Sequence, residues 1–262
     1  MRREPVISLL LLSLLPLLPS GTIADTLAEN QARFGVITGD VGLLSQGATE
    51  WIEPHEGLPL DPGDRIRTGE DGRVEFAMSE NVLWTLEPES EVVTEHMETN
   101  AGRMNLTSGS LLGVVDSARA AGTVQSWVFN TPAFVVAIRG TEFALEFSKG
   151  KPGRLGVFEG VVELQPAETA AGPLSPVRVS AGQEAVAARG KPLLMLAKFS
   201  PGMQALSALR SRLKARQRQI HDTWSPFTPA VRHDARSKFV APPPKRRVRR
   251  SVGRPPKPAV PQ

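Results

Sequence analysis

Between Arg33 and Ala188, each run of alternating apolar residues is short and is closed by Gly, Pro, Asn or Asp. An apolar period of two belongs to a strand half-buried in a sheet, whereas a helix repeats near 3.6. Arg73–Met78 shows the pattern. Val74, Phe76 and Met78 share one face, and Arg73, Glu75 and Ala77 share the other. Glu70-Asp71-Gly72 turns the chain before this segment and Ser79-Glu80-Asn81 turns it after. Similar segments are 35–40, 65–68, 82–86, 91–96, 103–107, 111–115, 126–130, 154–158, 161–165, 177–180 and 183–187. Glu159-Gly160 and Ala181-Gly182 are expected as tight turns between paired strands. About a dozen short strands spaced roughly 8–12 residues apart predict an all-β fold, a sandwich or a short β-solenoid, over residues 33–190.

Residues 131–147, TPAFVVAIRGTEFALEF, add a further constraint. Phe134, Val136 and Ile138 share one face at even positions, and Phe143, Leu145 and Phe147 share one at odd positions. The inward parity changes across Arg139-Gly140-Thr141, as a bulge or a sharp corner requires. Thr131-Pro132 opens the first strand, where proline is tolerated. Val135 and Ala137 make that strand apolar on both faces, which suits a central position. Arg139 is expected to fix the corner by bonding backbone carbonyls or a nearby carboxylate, with a ligand carboxylate as the alternative partner.

The two ends differ from this body. Arg2 and Arg3 precede a Leu-rich segment, Val6 to Leu18, and Thr22-Ile23-Ala24 suits cleavage, so residues 1–24 read as a signal peptide. That segment is shorter than the roughly 20 apolar residues a membrane span needs. The expected product is exported, periplasmic or secreted, and not transmembrane once cleaved. At the other end, Met203, Leu206, Leu209, Leu213 and Ile220 recur at helical spacing. They predict one amphipathic helix over 201–222, expected to dock on the β body or self-associate rather than lie on a membrane. From 223 to 262 the chain is basic and Pro-rich and is expected to be disordered.

Charge follows the same division. Residues 201–262 hold 15 Lys+Arg against 2 Asp+Glu, whereas residues 1–200 hold 16 against 25. An acidic body with a basic tail predicts either that the tail folds back or that it reaches an anionic partner. Lys245, Arg246, Arg247, Arg249, Arg250 and Arg254 are the candidates for anionic-partner binding. Gly253-Arg254-Pro255 has the form of a minor-groove DNA hook, but export makes nucleic acid the wrong partner. Anionic envelope polymer or lipid surface suits the charge better.

In order, LDPGDRIRTGEDGRVEFAM, LWTLEPESEV, MNLTSGSLLGVV, TPAFVVAIRGTEFALEF, LGVFEGVVEL and VSAGQEAVAARG resemble the FecR domain family. The resemblance covers residues 58–190, with its core over 58–165. Its motif positions here are Gly63, Asp64, Thr68, Gly69, Thr131, Pro132, Arg139, Gly140, Thr141 and Phe143. Ser79-Glu80-Asn81 replaces the family's usual Asp-Gly-Ser and is still a turn. FecR-type regulators sense an outer-membrane transporter and signal to a sigma factor. They carry a cytoplasmic helical segment and a transmembrane helix ahead of the domain. Only about five residues precede the apolar segment here, so a stand-alone exported FecR-domain protein is expected.

Catalytic and metal signatures are sparse. There is no Cys, which excludes disulfides, thiolate metal sites and thiol catalysis. His55, His96, His221 and His233 lack metal-ligand spacing. Asp61, Asp64, Glu70 and Asp71 cluster near one turn and are expected as solvated carboxylates rather than a calcium site. Asn105-Leu106-Thr107 is a formal glycosylation sequon without expected use. No catalytic residue, cofactor or metal is assigned. The expected function is a non-catalytic envelope interaction module with an envelope protein or anionic surface as partner. The alternative is a sensory or regulatory component related to iron-citrate-type regulators.

Overall fold

Short alternating segments fold into paired strands because a strand with one apolar face must bury it against another layer. The computed structural model describes residues 28–116, 118, 125–167, 175–188 and 190–239. Sheet A runs in the order β1 (Arg33–Thr38), β4 (Arg73–Ser79), β5 (Val82–Leu86), β7 (Ala101–Val115), β10 (Glu142–Phe147), β11 (Gly153–Glu159), β14 (Glu184–Ala187) and β15 (Leu194–Leu196). Sheet B runs β2 (Val41–Leu44), β3 (Arg65–Thr68), β6 (Glu91–Met97), the same β7, β8 (Ser126–Asn130), β9 (Phe134–Ile138), β12 (Val161–Pro166) and β13 (Val177–Ser180). All pairings are antiparallel except β7 with β8. The two sheets lie face to face as a sandwich. Trp84 of sheet A meets Trp127 and Phe129 of sheet B edge-on, with ring centroids 5.7 and 5.3 Å apart.

β7 joins the layers. Its first half pairs with β6 and β8, and its second half pairs with β5 and β10. The sequence suggested two strands here, 103–107 and 111–115, because Ser108-Gly109-Ser110 reads as a break. It is a bend within one strand. Gly109 has φ 89°, and a side chain there would run into Ser90.

The links β1 to β2, β3 to β4, β5 to β6, β9 to β10, β11 to β12 and β13 to β14 each carry the chain from one sheet to the other. Glu159-Gly160 and Ala181-Gly182 are therefore corners, not the expected turns between paired strands. Turn residues look alike locally in either role, and the partner strand decides which it is. The corners brace one another: the amide of Gly69 bonds the carbonyl of Asp40 at 2.8 Å, and that of Ala181 bonds Gly160 at 3.0 Å.

α1 (Pro201–Ala208) and α2 (Arg210–Thr223) form one stretch bent at Leu209, matching the expected amphipathic helix. Ser200 caps it, with Pro201 in the first turn. The stretch docks on the outer face of sheet A. Met203 and Leu213 bury against Ala77, Leu83, Leu112, Val114, Ala144 and Phe158. This cover explains why the polar face of β4 is not exposed: Glu75 and Ala77 are buried beneath the helix.

Disorder was expected from residue 223, yet the chain continues in place. α3 (Pro229–Ser237) is capped by Thr228. Low apolar content suggested no driving force for order, but this segment is held by ion pairs and ring stacking. Arg33 lies between the rings of Trp224 and Phe227, 4.0 and 3.8 Å from their centroids.

Candidate interaction surfaces

The family-like motif residues fall at separate places. Thr131 caps the start of β9: its Oγ1 accepts from the amide of Phe134 at 3.0 Å and donates to that residue's carbonyl at 2.9 Å. Pro132 beside it is exposed. Phe143 is fully buried against Trp84. Thr68 donates to the carbonyl of Glu87 at 2.7 Å and accepts from the amide of Ser90 at 3.0 Å, which fixes the corner around Gly69. Gly63 leads into β3, its amide bonded to the carbonyl of Thr94 at 2.6 Å. The motif is thus a set of corner and core fixtures distributed through the sandwich.

Arg139 does not lock its corner. It is exposed, and among the described residues it makes no hydrogen bond or ion pair. The corner is held by backbone instead. Gly140 takes φ 69°, and the carbonyl of buried Thr141 accepts from the amide of Val115 at 2.9 Å. The parity change survives as predicted, with Phe134, Val136, Ile138, Phe143, Leu145 and Phe147 all buried. β9 has neighbours on both sides, but Val135 stays 37% exposed, so the strand is not covered on its outer face.

Asp64 also departs from expectation. It is not a solvated turn carboxylate but fully buried beneath α3. Arg236 donates to Asp64 at 2.6 Å, to Ser45 at 3.0 Å and to the carbonyl of Pro59 at 2.6 Å. One turn earlier, Arg232 pairs with Asp61 at 2.6 Å. Burial raises the Asp64 carboxyl to about 6, against the opposing pull of Arg236. The spacing of Arg232 and Arg236 puts both on one helix face. Thr228-Pro229 before them is a helix-start signal that composition alone had hidden.

α2 is pinned in the same way. Arg210 and Lys214 both engage Glu142, and they reach Glu159 at 3.2 and 3.1 Å. Arg216 pairs with the buried Glu75 at 2.9 Å. The Glu142 hydrogen bond, ahead of that from Glu159, raises the Lys214 ammonium pKa. A cavity of about 250 Å³ lies beside these groups, lined by Gly140, Thr141, Glu142, Lys214 and Gln217. Its charges are largely spent on one another. Gln217, buried at a gap in the apolar stripe, donates to the carbonyl of Glu80 at 3.2 Å.

The histidines stand apart. His55 packs against Phe239 with ring centroids 4.0 Å apart and planes tilted by 57°, His96 pairs with Glu98 at 3.0 Å, His221 meets Asn81 at 3.1 Å and His233 is exposed. Among the described residues no three His, Asp or Glu side chains gather where a metal could be held. No helix there is long and apolar enough to cross a membrane. The signal peptide and Lys245, Arg246, Arg247, Arg249, Arg250 and Arg254 lie outside the described residues.

No curated protein matches this sequence. Two crystal structures, at 1.65 and 2.50 Å resolution, of a "putative anti-sigma factor" from Parabacteroides distasonis ATCC 8503 resemble it with a TM-score of 0.43 and 12% identity. The match covers 55% of this chain and 63% of that one, less than two thirds of its length. Residues 64–163 match the family described as FecR protein. They run from the buried aspartate of the α3 clasp, through the bent β7 and the Arg139-Gly140-Thr141 corner, into β12. The chain therefore carries a FecR domain across the centre of its sandwich.

Proposed function

We propose that this chain is an exported, non-catalytic interaction module of the cell envelope. Its FecR body makes protein contacts and its last residues attach it to an anionic surface. The observation that carries this reading is how the basic C-terminal region divides. Arg210, Lys214, Arg216, Arg232 and Arg236 are committed to carboxylates of the body. Residues 240–262, outside the described residues, hold seven Lys+Arg and no Asp or Glu. Seven cations spread along a Pro-rich segment suit a polyanion or an anionic lipid surface, at about 1 kcal/mol per residue near the surface.

The FecR domain favours a regulatory role for the body, since regulators of this family work through protein contact. A sensory component of an envelope signalling system is one form of that role. The test is cosedimentation of Asp25–Gln262 with purified envelopes across a salt series, beside a chain ending at Phe239. Sedimentation of the longer chain alone, released by salt, is expected. Equal sedimentation of both chains, indifferent to salt, would overturn the attachment role of the tail.

A further inference from the structure

The two sandwich faces are treated differently. Sheet A wears α1 and α2, whereas from β6 to β13 the outer face of sheet B is bare among the described residues. Arg103, Val135, Val161, Glu163 and Arg178 are all exposed there. Strand register fixes the order of side chains across this face. His96 lies beside Arg103, Arg103 beside Val128, Val128 beside Ala137, Ala137 beside Glu163, and Glu163 beside Arg178. The His96 end is acidic, because exposed Glu95 precedes it and Glu98 pairs with its ring at 3.0 Å. Arg103, Glu163 and Arg178 have no ion-pair partner among the described residues.

Read across the strands, the row runs acidic, basic, apolar, apolar, acidic, basic. Reversed, every charge meets its opposite and the apolar pair meets itself. A surface complementary to its own reverse is what an isologous contact requires. We propose that this face of sheet B pairs with the same face of a second copy. The two-fold axis lies in the interface, along the strands between β8 and β9. Arg103 then faces the second copy's Glu163, Val128 faces its Ala137, and Arg178 faces its Glu95–Glu98 end. The neighbouring row of Asn105, Asn130, Val135 and Gln165 carries no charge and so opposes nothing.

Six strands about 4.8 Å apart, with about 16 Å of each exposed, bury roughly 900 Å² over both copies. That lies at the transient end of specific interfaces, so the dimer is weak and loosened by salt. The inference goes beyond the attachment reading, because it rests on strands of the β body and on none of residues 240–262.

Sedimentation velocity of Asp25–Gln262 without envelopes tests it, at concentrations up to about 500 μM. The parent is expected to show a monomer–dimer equilibrium. Arg103→Glu and Glu163→Arg are each expected to weaken it at least about tenfold, and the double swap to restore it within about threefold. Both sites are exposed, so all three variants are expected to melt with the parent. A parent that stays monomeric throughout would overturn the proposal and leave the face to a different partner. Single swaps without effect, or a double swap that fails to restore the dimer, would overturn it equally.

Discussion

Gly140, not Arg139, sets the corner where β9 passes into β10. A left-handed backbone strains any residue with a side chain by about 1–2 kcal/mol, whereas an exposed side chain without partners contributes within about 0.5 kcal/mol. Arg139→Ala is therefore expected to leave the melting temperature nearly unchanged, and Gly140→Ala to lower it by several degrees. Thermal melts followed by circular dichroism compare the two; the reverse ranking would restore the arginine as the lock. The parity change was legible in the sequence because burial alternates strictly with position. The role of Arg139 was not, because its charge suggested a partner and only the folded surface shows that it has none among the described residues.

Asp64 gives a second residue-scale prediction. Burial pushes its folded carboxyl up to about 6, above the ordinary 3.8. A raised carboxylate favours the folded state fully below the unfolded value, and that contribution is lost as pH rises through the folded one. Asp64→Asn imitates the protonated form. The stability of Asp64→Asn relative to the parent is thus expected to rise between about pH 4 and 6, by up to roughly 3 kcal/mol, and then to level off. Urea unfolding across that range measures it. A difference that shrinks with rising pH would mean that the Arg236 pairing outweighs burial.

Among the elements, α2 combines apolar anchoring with charge. The apolar stripe that α2 shares with α1, and its basic faces, were both readable from helical spacing, and Met203, Leu206, Leu209, Leu213 and Ile220 all pack toward the sheet. What the spacing could not name was the surface beneath. Sheet A offers the helix Leu83, Leu112, Val114 and Phe158 only because β5, β7, β10 and β11 come together from distant parts of the chain. Leu213→Ala is expected to cost about 2–4 kcal/mol in urea unfolding, as for other large-to-small changes at buried sites. A loss below about 0.5 kcal/mol would mean that α2 is held by its ion pairs alone. α3 shows the opposite limit of sequence reading. Its apolar content is low, and its order comes from two arginines entering carboxylates that are more than 160 residues away in sequence.

In the whole molecule, an acidic sandwich is wrapped by a basic helical belt, and the start of the described chain meets the segment between α2 and α3. The amide of Phe227 bonds Gln31 at 2.6 Å, and the amide of Ala28 bonds the carbonyl of Phe227 at 2.9 Å. The sequence announced the charge asymmetry and the all-β body. It could not tell which cations of the basic region serve the fold, because Arg210, Lys214, Arg216, Arg232 and Arg236 meet carboxylates that are distant in sequence. That commitment of cations to the body is the centre of the account, and it carries the folded basic region past Ser200 through α3.

Thermal melting of three chains, all starting at Asp25 and ending at Ser200, Phe239 or Gln262, tests this most directly. The chain ending at Phe239 is expected to melt within about 2 °C of the full one, since the ion pairs of α2 and α3 with the body all precede it. The chain ending at Ser200 loses the cover of the outer apolar cluster and is expected to melt more than about 10 °C lower, or to aggregate. If all three melt together, the belt contributes nothing to the fold and its ion pairs do not hold it to the body.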